Sequence, residues 1–171
     1  MSITSEIIRE PLVHPRNENS VVKPFVLSHG TLECYSLQET RRFYEEFLGL
    51  ECVRHAKRSM VVRCGLKFHI ACVEVGYKLR PVHLLNHWGV DVQTREEVDA
   101  AYQAALRLKD EYKIREIREP VDQHGLYSFY LVDLDQNWWE VRTAKRFRHD
   151  EIFEAGDQFS MEQVARLEKR T

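Results

Sequence analysis

Leu27-Ser28-His29 and Leu85-Asn86-His87 align at one offset along the chain, and at that same offset Glu33 answers Asp91. The parts that follow each copy come in the same order. Residues 25–34 read as a strand that runs into Ser36-x-x-Glu39, a capping-box pattern, and then a helix carrying Leu37, Tyr44, Phe47 and Leu48, with Gly49 as its stop. Three short β-rich runs come next, 51–55, 59–64 and 67–75, and Gly76 and Pro81 mark a break. Residues 84–92 then read as a strand leading into Thr94-x-x-Glu97, a second capping box, and a helix with Val98, Ala101, Tyr102, Ala105 and Leu108 at helical spacing. Three more β segments follow, 113–118, 127–132 and 138–143, with Asp133-Leu134-Asp135-Gln136-Asn137 as the turn before the last. A β-α-β-β-β unit is thus written twice.

Each copy is too small to bury a good core alone, so the expected fold is α+β: paired β-α-β-β-β modules closing into a curved, cup-like mixed sheet. The organisation read from the sequence is an extended arm over 1–24, a first module over 25–76, a second over 77–143 that forms one compact domain with the first, and an extension over 144–171. That extension contains a short helix near 160–169 with Met161, Val164 and Leu167 on one side.

Composition narrows the function classes. With 43% hydrophobic and 30% charged residues over 171 positions, the chain is a folded globular protein rather than a disordered one. The net charge of -2 provides no basic field for nucleic acid, and no apolar run approaches the length of a membrane span. The polar first 20 residues do not form a secretory signal, so the expected location is the cytoplasm. Cys34, Cys52, Cys64 and Cys72 contain no C-x-x-C unit and read as reduced core thiols.

His29 and His87 stand at matching positions of the duplicated first strand, which makes them the leading metal-ligand candidates. Glu140 lies between Trp139 and Val141 in an apolar last strand, where a carboxylate needs a compensating cation. That cation is either a neighbour such as Arg142 or a metal. Two imidazoles and one carboxylate match the facial triad of non-haem Fe(II), and the same donors suit Mn(II), Ni(II) or Zn(II).

The segment Phe129-Tyr130-Leu131-Val132-Asp133-Leu134-Asp135-Gln136-Asn137-Trp138-Trp139-Glu140, taken with His29 and His87, resembles the vicinal oxygen chelate superfamily. That superfamily includes glyoxalase I, the thiol transferases of fosfomycin resistance, bleomycin-binding resistance proteins and type I extradiol dioxygenases. Its turn pattern F-Y-x-x-D-P-x-G is met here with Leu134 and Gln136 in place of Pro and Gly. The resemblance implies His29, His87 and Glu140 as ligands of one divalent metal, Fe(II) first. It also implies a histidine acid/base at His69, where glyoxalase I has a glutamate ligand, and a substrate-side tyrosine at Tyr130. His124, followed by Gly125, is similar to a substrate-side histidine of the extradiol enzymes. On that resemblance the chain is expected to be a homodimeric extradiol-type dioxygenase acting on a small aromatic vicinal diol and dioxygen. The alternatives are a glyoxalase I-like isomerase or fosfomycin-type thiol transferase on the same fold, and a non-catalytic drug-binding protein. Tyr127, Phe129 and Trp138 are candidates to line the pocket, and strand parity leaves open which of them face inward.

Overall fold

The computed structural model describes residues 19–21, 27–65, 68–123 and 126–144. The helix expected near 160–169, and the arm expected over 1–24 apart from 19–21, lie outside them. The first module contains β1 (His29–Cys34), α1 (Leu37–Arg42) continuing as a π-helical turn (Phe43–Phe47), β2 (Glu51–Ala56), β3 (Ser59–Arg63) and β4 (His69–Glu74). The second contains β5 (Trp88–Asp91), α2 (Arg95–Arg107), β6 (Glu116–Ile117), β7 (Val121–Gln123), β8 (Leu126–Val132) and β9 (Trp138–Ala144).

The modules repeat one topology. In the first sheet the order is β1-β4-β3-β2, and in the second it is β5-β9-β8-β6, with β7 also paired to β8. The first strand of each module pairs in parallel with the last, β1 with β4 and β5 with β9, while the other pairings are antiparallel. Both histidine-bearing segments therefore lie at a sheet edge. Within one chain the paired modules thus form two mixed sheets, as the expected fold requires, with the edge strand of the first near that of the second: Gly30 on β1 lies against the Trp88 ring of β5.

Alternation along the strands explains how the sheets meet. Leu32, Cys34, Met60, Val62, Ile70 and Cys72 are buried on the inner face of the first sheet. In the second, Phe129, Leu131, Trp139 and Val141 are buried toward α2, where Tyr102 packs edge-on against Phe129. The π-helical turn of module one reaches this inner face, with Tyr44 edge-on to Trp139 at 5.2 Å between ring centroids. The inner faces thus share one core, which leaves His29, Thr31 and Glu33 exposed on the outer face of the first sheet.

The Asp133–Asn137 turn ties the two modules together. Asp133 is buried and accepts hydrogen bonds from Tyr44 Oη, Trp139 Nε1 and the backbone amides of Asp135 and Asn137. Asp135 accepts from the Tyr35 amide and the Thr40 hydroxyl of module one, and Asn137 Nδ2 donates to the Glu33 carbonyl. Burial, and after it the charge of Asp135, push the Asp133 carboxyl up to about 6.

Several local expectations change. Thr94 and Glu97 form the full capping box, but Ser36 makes no side-chain cap. Glu39 instead pairs with Lys113 at 2.6 Å, while Thr40 Oγ1 bonds the Ser36 carbonyl. The strand expected over 113–118 shrinks to Glu116–Ile117 because Lys113 takes a left-handed φ of 55° and the Ile114 amide closes back on Lys109. Residues Leu84–Asn86 form a 3-10 turn, so His87 precedes β5 instead of lying within it. Cys34, Cys52 and Cys72 are buried thiols as expected, but Cys64 is exposed.

Candidate metal centre

His87, Glu140 and Tyr130 meet on the outer face of the second sheet. Tyr130 and Glu140 are direct cross-strand partners on β8 and β9, and Gly89 on β5 flanks Glu140 on its other side. Gly89 has no side chain to cover the carboxylate, and His87, two residues earlier, reaches it: His87 Nε2 stands 3.5 Å from Glu140 Oε2. The other oxygen, Oε1, accepts from Tyr130 Oη at 2.8 Å, and the His87 and Tyr130 rings meet edge-on at 5.2 Å. Burial, with that hydrogen bond second, pushes the Tyr130 phenol up to about 12, so it stays a donor at neutral pH.

His87 and Glu140 together offer two donors to a divalent cation. His87 Nδ1 lies 2.8 Å from the Leu84 carbonyl, which only accepts, so Nδ1 carries the proton and Nε2 presents its lone pair. In the neutral ring that lone pair faces a carboxylate oxygen with no proton between them, and Glu140 is only 4% exposed. A cation bound by both atoms relieves this opposition. Arg142, the alternative neutraliser, is only partly committed to Glu140. Its Nη1 is 3.9 Å from Oε2, while its Nε bonds Asp91 Oδ1 at 2.6 Å.

His29 is not beside this pair. It is the first residue of β1 and the register partner of His69 on β4, and the two rings stack at 5.6 Å with planes 15° apart on the outer face of the first sheet. The Ser28 hydroxyl lies 2.7 Å from His29 Nδ1, so Nδ1 is occupied and Nε2 is free to point outward. Among the described residues no three His, Cys, Asp or Glu side chains converge in a way that could hold a metal. The expected ligands are therefore split, with His29 and His69 on one sheet and His87 and Glu140 on the other. His124 lies outside the described residues. Of the three aromatic candidates for lining the pocket, Trp138 is on the outer face beneath the Arg118 guanidinium. Tyr127 and Phe129 turn instead toward α2, with Tyr127 Oη bonded to Asp99.

Two features escaped sequence reasoning. Ser128, the cross-strand partner of Arg142, is fully buried beside the Tyr130 phenol, whose raised pKa its hydroxyl partly offsets. Only its register two residues before Tyr130 hinted at its place. The other is a cleft of about 640 Å³ that runs from His87 and Trp88 past His83 and Arg80 to Thr31 and Glu33. It is shaped by the Leu84–Asn86 turn, which strand reasoning had missed.

Comparison with known proteins agrees with this geometry. No curated protein matches the chain. Among solved structures it is similar to the genomically encoded fosfomycin resistance protein FosX of Listeria monocytogenes, with 23% identity over 70% of this chain and 93% of that one and a TM-score of 0.55. It is also similar to a lactoylglutathione lyase of Agrobacterium tumefaciens, with 20% identity, 70% and 94% coverage and a TM-score of 0.51. A glyoxalase/bleomycin resistance protein/dioxygenase family enzyme of Burkholderia phytofirmans gives 16% identity, 68% and 97% coverage and a TM-score of 0.56. At these identities the likeness is one of fold. The family match itself spans residues 27–141, from just before His29 to just past Glu140. With both modules and both histidine-bearing edges inside that span, the chain belongs to the Glyoxalase/Bleomycin resistance protein/Dioxygenase superfamily.

Proposed function

We propose that the protein is a metal-dependent, extradiol-type dioxygenase that opens the ring of a small catecholic substrate, with its site assembled between two copies of the chain. The observation that carries this reading is the stacked His29–His69 pair, held by parallel register on a sheet face that its own chain leaves exposed. Among the described residues neither sheet carries three His, Cys, Asp or Glu side chains placed to hold a metal, so each sheet offers an incomplete half-site. A homodimer that sets the first sheet of one copy against the second sheet of the other brings His29 to His87 and Glu140, and His69 arrives with it.

In such a dimer His29, His87 and Glu140 would hold Fe(II), which would supply the Lewis acidity and redox chemistry for ring opening by dioxygen. The protein residues handle positioning and protons. His69 takes a proton from a substrate hydroxyl at a ring nitrogen and later returns it, a role suited to imidazole near neutral pH. Tyr130 keeps its proton and donates a hydrogen bond, first to Glu140 and then to substrate oxygen. His87 is held in the ligating tautomer by the Leu84 carbonyl.

A glyoxalase-like reading is supported by the placing of His29 and His69 side by side on adjacent strands, where the second ring would supply a fourth donor after a change of rotamer. Metal content and oxygen consumption in His69→Phe separate the two. Retained metal with ring cleavage slowed about 100-fold or more supports the acid/base role, and loss of metal supports the isomerase-like site. Retained metal with normal cleavage removes His69 from the chemistry.

A further inference from the structure

We infer that a cleft at the junction of the two modules is a second small-molecule site, separate from the proposed metal centre. It takes a flat aromatic monocarboxylate, with the ring in a corner formed by Tyr35 and Tyr77 and the carboxylate on Arg115. The cleft has a volume of about 500 Å³ and draws its walls from both modules, Tyr35, Tyr77 and Leu79 from the first and Lys113, Arg115 and Gln136 from the second. That volume is in the range of small-ligand sites. Tyr35 directly follows β1 at the end opposite His29, which puts about 20 Å of extended chain between them. The cleft therefore does not share space with the histidines of the outer faces.

The aromatic end of the ligand follows from the two tyrosines. Tyr77 is 93% exposed and Tyr35 45%, and their rings meet edge-on with centroids 5.3 Å apart and planes 76° apart. Two rings at nearly a right angle leave a corner. A third flat ring seated there lies along one face and presents its edge to the other, and both arrangements are favoured between aromatic rings. It would also remove from water the apolar surface that Tyr77 now leaves exposed.

The charges of the cleft set the other end. Lys113 Nζ is taken by Glu39 at 2.6 Å. Asp135 is buried, with its oxygens accepting from the Tyr35 amide and the Thr40 hydroxyl. Arg115 uses only Nε, which donates to the Leu134 carbonyl at 3.0 Å, and among the described residues no carboxylate forms an ion pair with it. Its open guanidinium edge matches the two oxygens of one carboxylate. A doubly charged phosphate would set its second charge against Glu39 and Asp135 with no further cation to offset them. The backbone points to the same place. Lys113 and Gln136 are the residues other than glycine with a left-handed φ among the described residues, 55° and 67°, and both line this cleft. Such residues are uncommon and gather at functional sites. Gln136 belongs to the turn that ties the modules together, so a ligand in the cleft braces that turn.

The test is calorimetric titration and thermal melting of the metal-free full chain with four probes. These are 2-naphthoate, its saturated counterpart decahydro-2-naphthoate, its cationic counterpart 2-naphthylmethylamine, and inorganic phosphate. The inference predicts saturable binding of 2-naphthoate, about tenfold or more tighter than the other three, with a rise in melting temperature on binding. Tyr77→Ala should weaken that binding about five- to tenfold and Arg115→Gln about tenfold or more. Tyr77→Phe keeps the ring and should stay within about twofold of wild type, and His87→Ala should bind 2-naphthoate as wild type does. Tyr77 is a surface residue, so Tyr77→Ala should melt with wild type when no ligand is present. If Arg115→Gln melts lower through loss of its bond to Leu134, the contrast between Tyr77→Ala and Tyr77→Phe decides the matter. Equal affinity for the saturated acid would overturn the aromatic corner, and unchanged affinity in a folded Arg115→Gln would overturn the carboxylate contact. Loss of binding in His87→Ala would move the probe to the cleft beside His87 and overturn a second site, as would displacement by phosphate or no saturable binding at all.

Discussion

The outer faces of the two sheets follow one topology and carry different chemistry. On the first, β1 and β4 present His29 and His69, two imidazoles with no carboxylate between them. On the second, β5, β8 and β9 surround one imidazole with Glu140 and Tyr130, and the histidine tautomer is fixed by a backbone carbonyl. Duplication supplied the frame and divergence divided the labour, leaving donors of one kind on one half and the acidic ligand with its phenol on the other. Among the described residues neither face alone offers three His, Cys, Asp or Glu donors to a metal, so the proposed site depends on how two halves from different chains would meet.

The largest expected effect breaks the contrast at its acidic side. Glu140→Gln should weaken metal binding by at least about 100-fold, since loss of a primary ligand exceeds the 10- to 100-fold typical of supporting residues, and metal titration of the purified chain checks it. Tyr130→Phe is predicted to keep the metal within about tenfold and serves as the control on the same face.

The next largest concerns the turn that ties the two modules together. Asp133→Asn places an amide among donors from Tyr44, Trp139 and two backbone amides, and should cost on the order of 3 kcal/mol in chemical denaturation. The same residue has a pH signature. With its carboxyl raised to about 6 in the fold against about 3.9 in an unfolded chain, the folded state binds the proton more tightly. Its contribution to stability is therefore fully present below about pH 4 and is lost as pH rises through about 6, by about 1 kcal/mol between pH 5 and 7. The Asp133→Asn chain should lack that increment, and paired denaturation curves at the two pH values test it.

Gly30→Ala probes the contact between the two histidine-bearing edges. A Cβ there would stand 2.2 Å from Trp88 Cη2, so the indole must move, and a loss of about 1–3 kcal/mol is expected by thermal melting. The smallest effect distinguishes the two helix starts. Thr94→Ala should cost about 1 kcal/mol because its capping box is formed, whereas Ser36→Ala should cost almost nothing because Ser36 caps no amide.

These differences also mark what the sequence could disclose. The repeat, the α+β modules, the Gly49 stop and the burial of Glu140 were legible, because periodicity and turn chemistry act over a few residues. Ser36-x-x-Glu39 misled because Glu39 found Lys113, distant in sequence, and the left-handed Lys113 that shortened β6 left no local signal. The inward turn of Tyr127 and Phe129 was hidden because strand alternation gives two faces without saying which one α2 covers. The split of the ligands was hidden for a similar reason. Matched positions in a duplication give equivalence, but not how far apart the two sheets hold their equivalent residues, which contacts distant in sequence such as Tyr44 with Trp139 and Asp133 set.

The most direct test of a site shared between chains needs no substrate. His29→Ala and His87→Ala are prepared separately, each expected to bind no metal tightly, and are then mixed under conditions that exchange subunits. In a random mixture half the dimers contain one chain of each kind, and each of these has one intact site, so metal occupancy should recover to about one quarter of the wild-type value. If each chain holds its own site, every site carries one substitution. Occupancy would then stay at the level of the separate variants, contradicting the shared site.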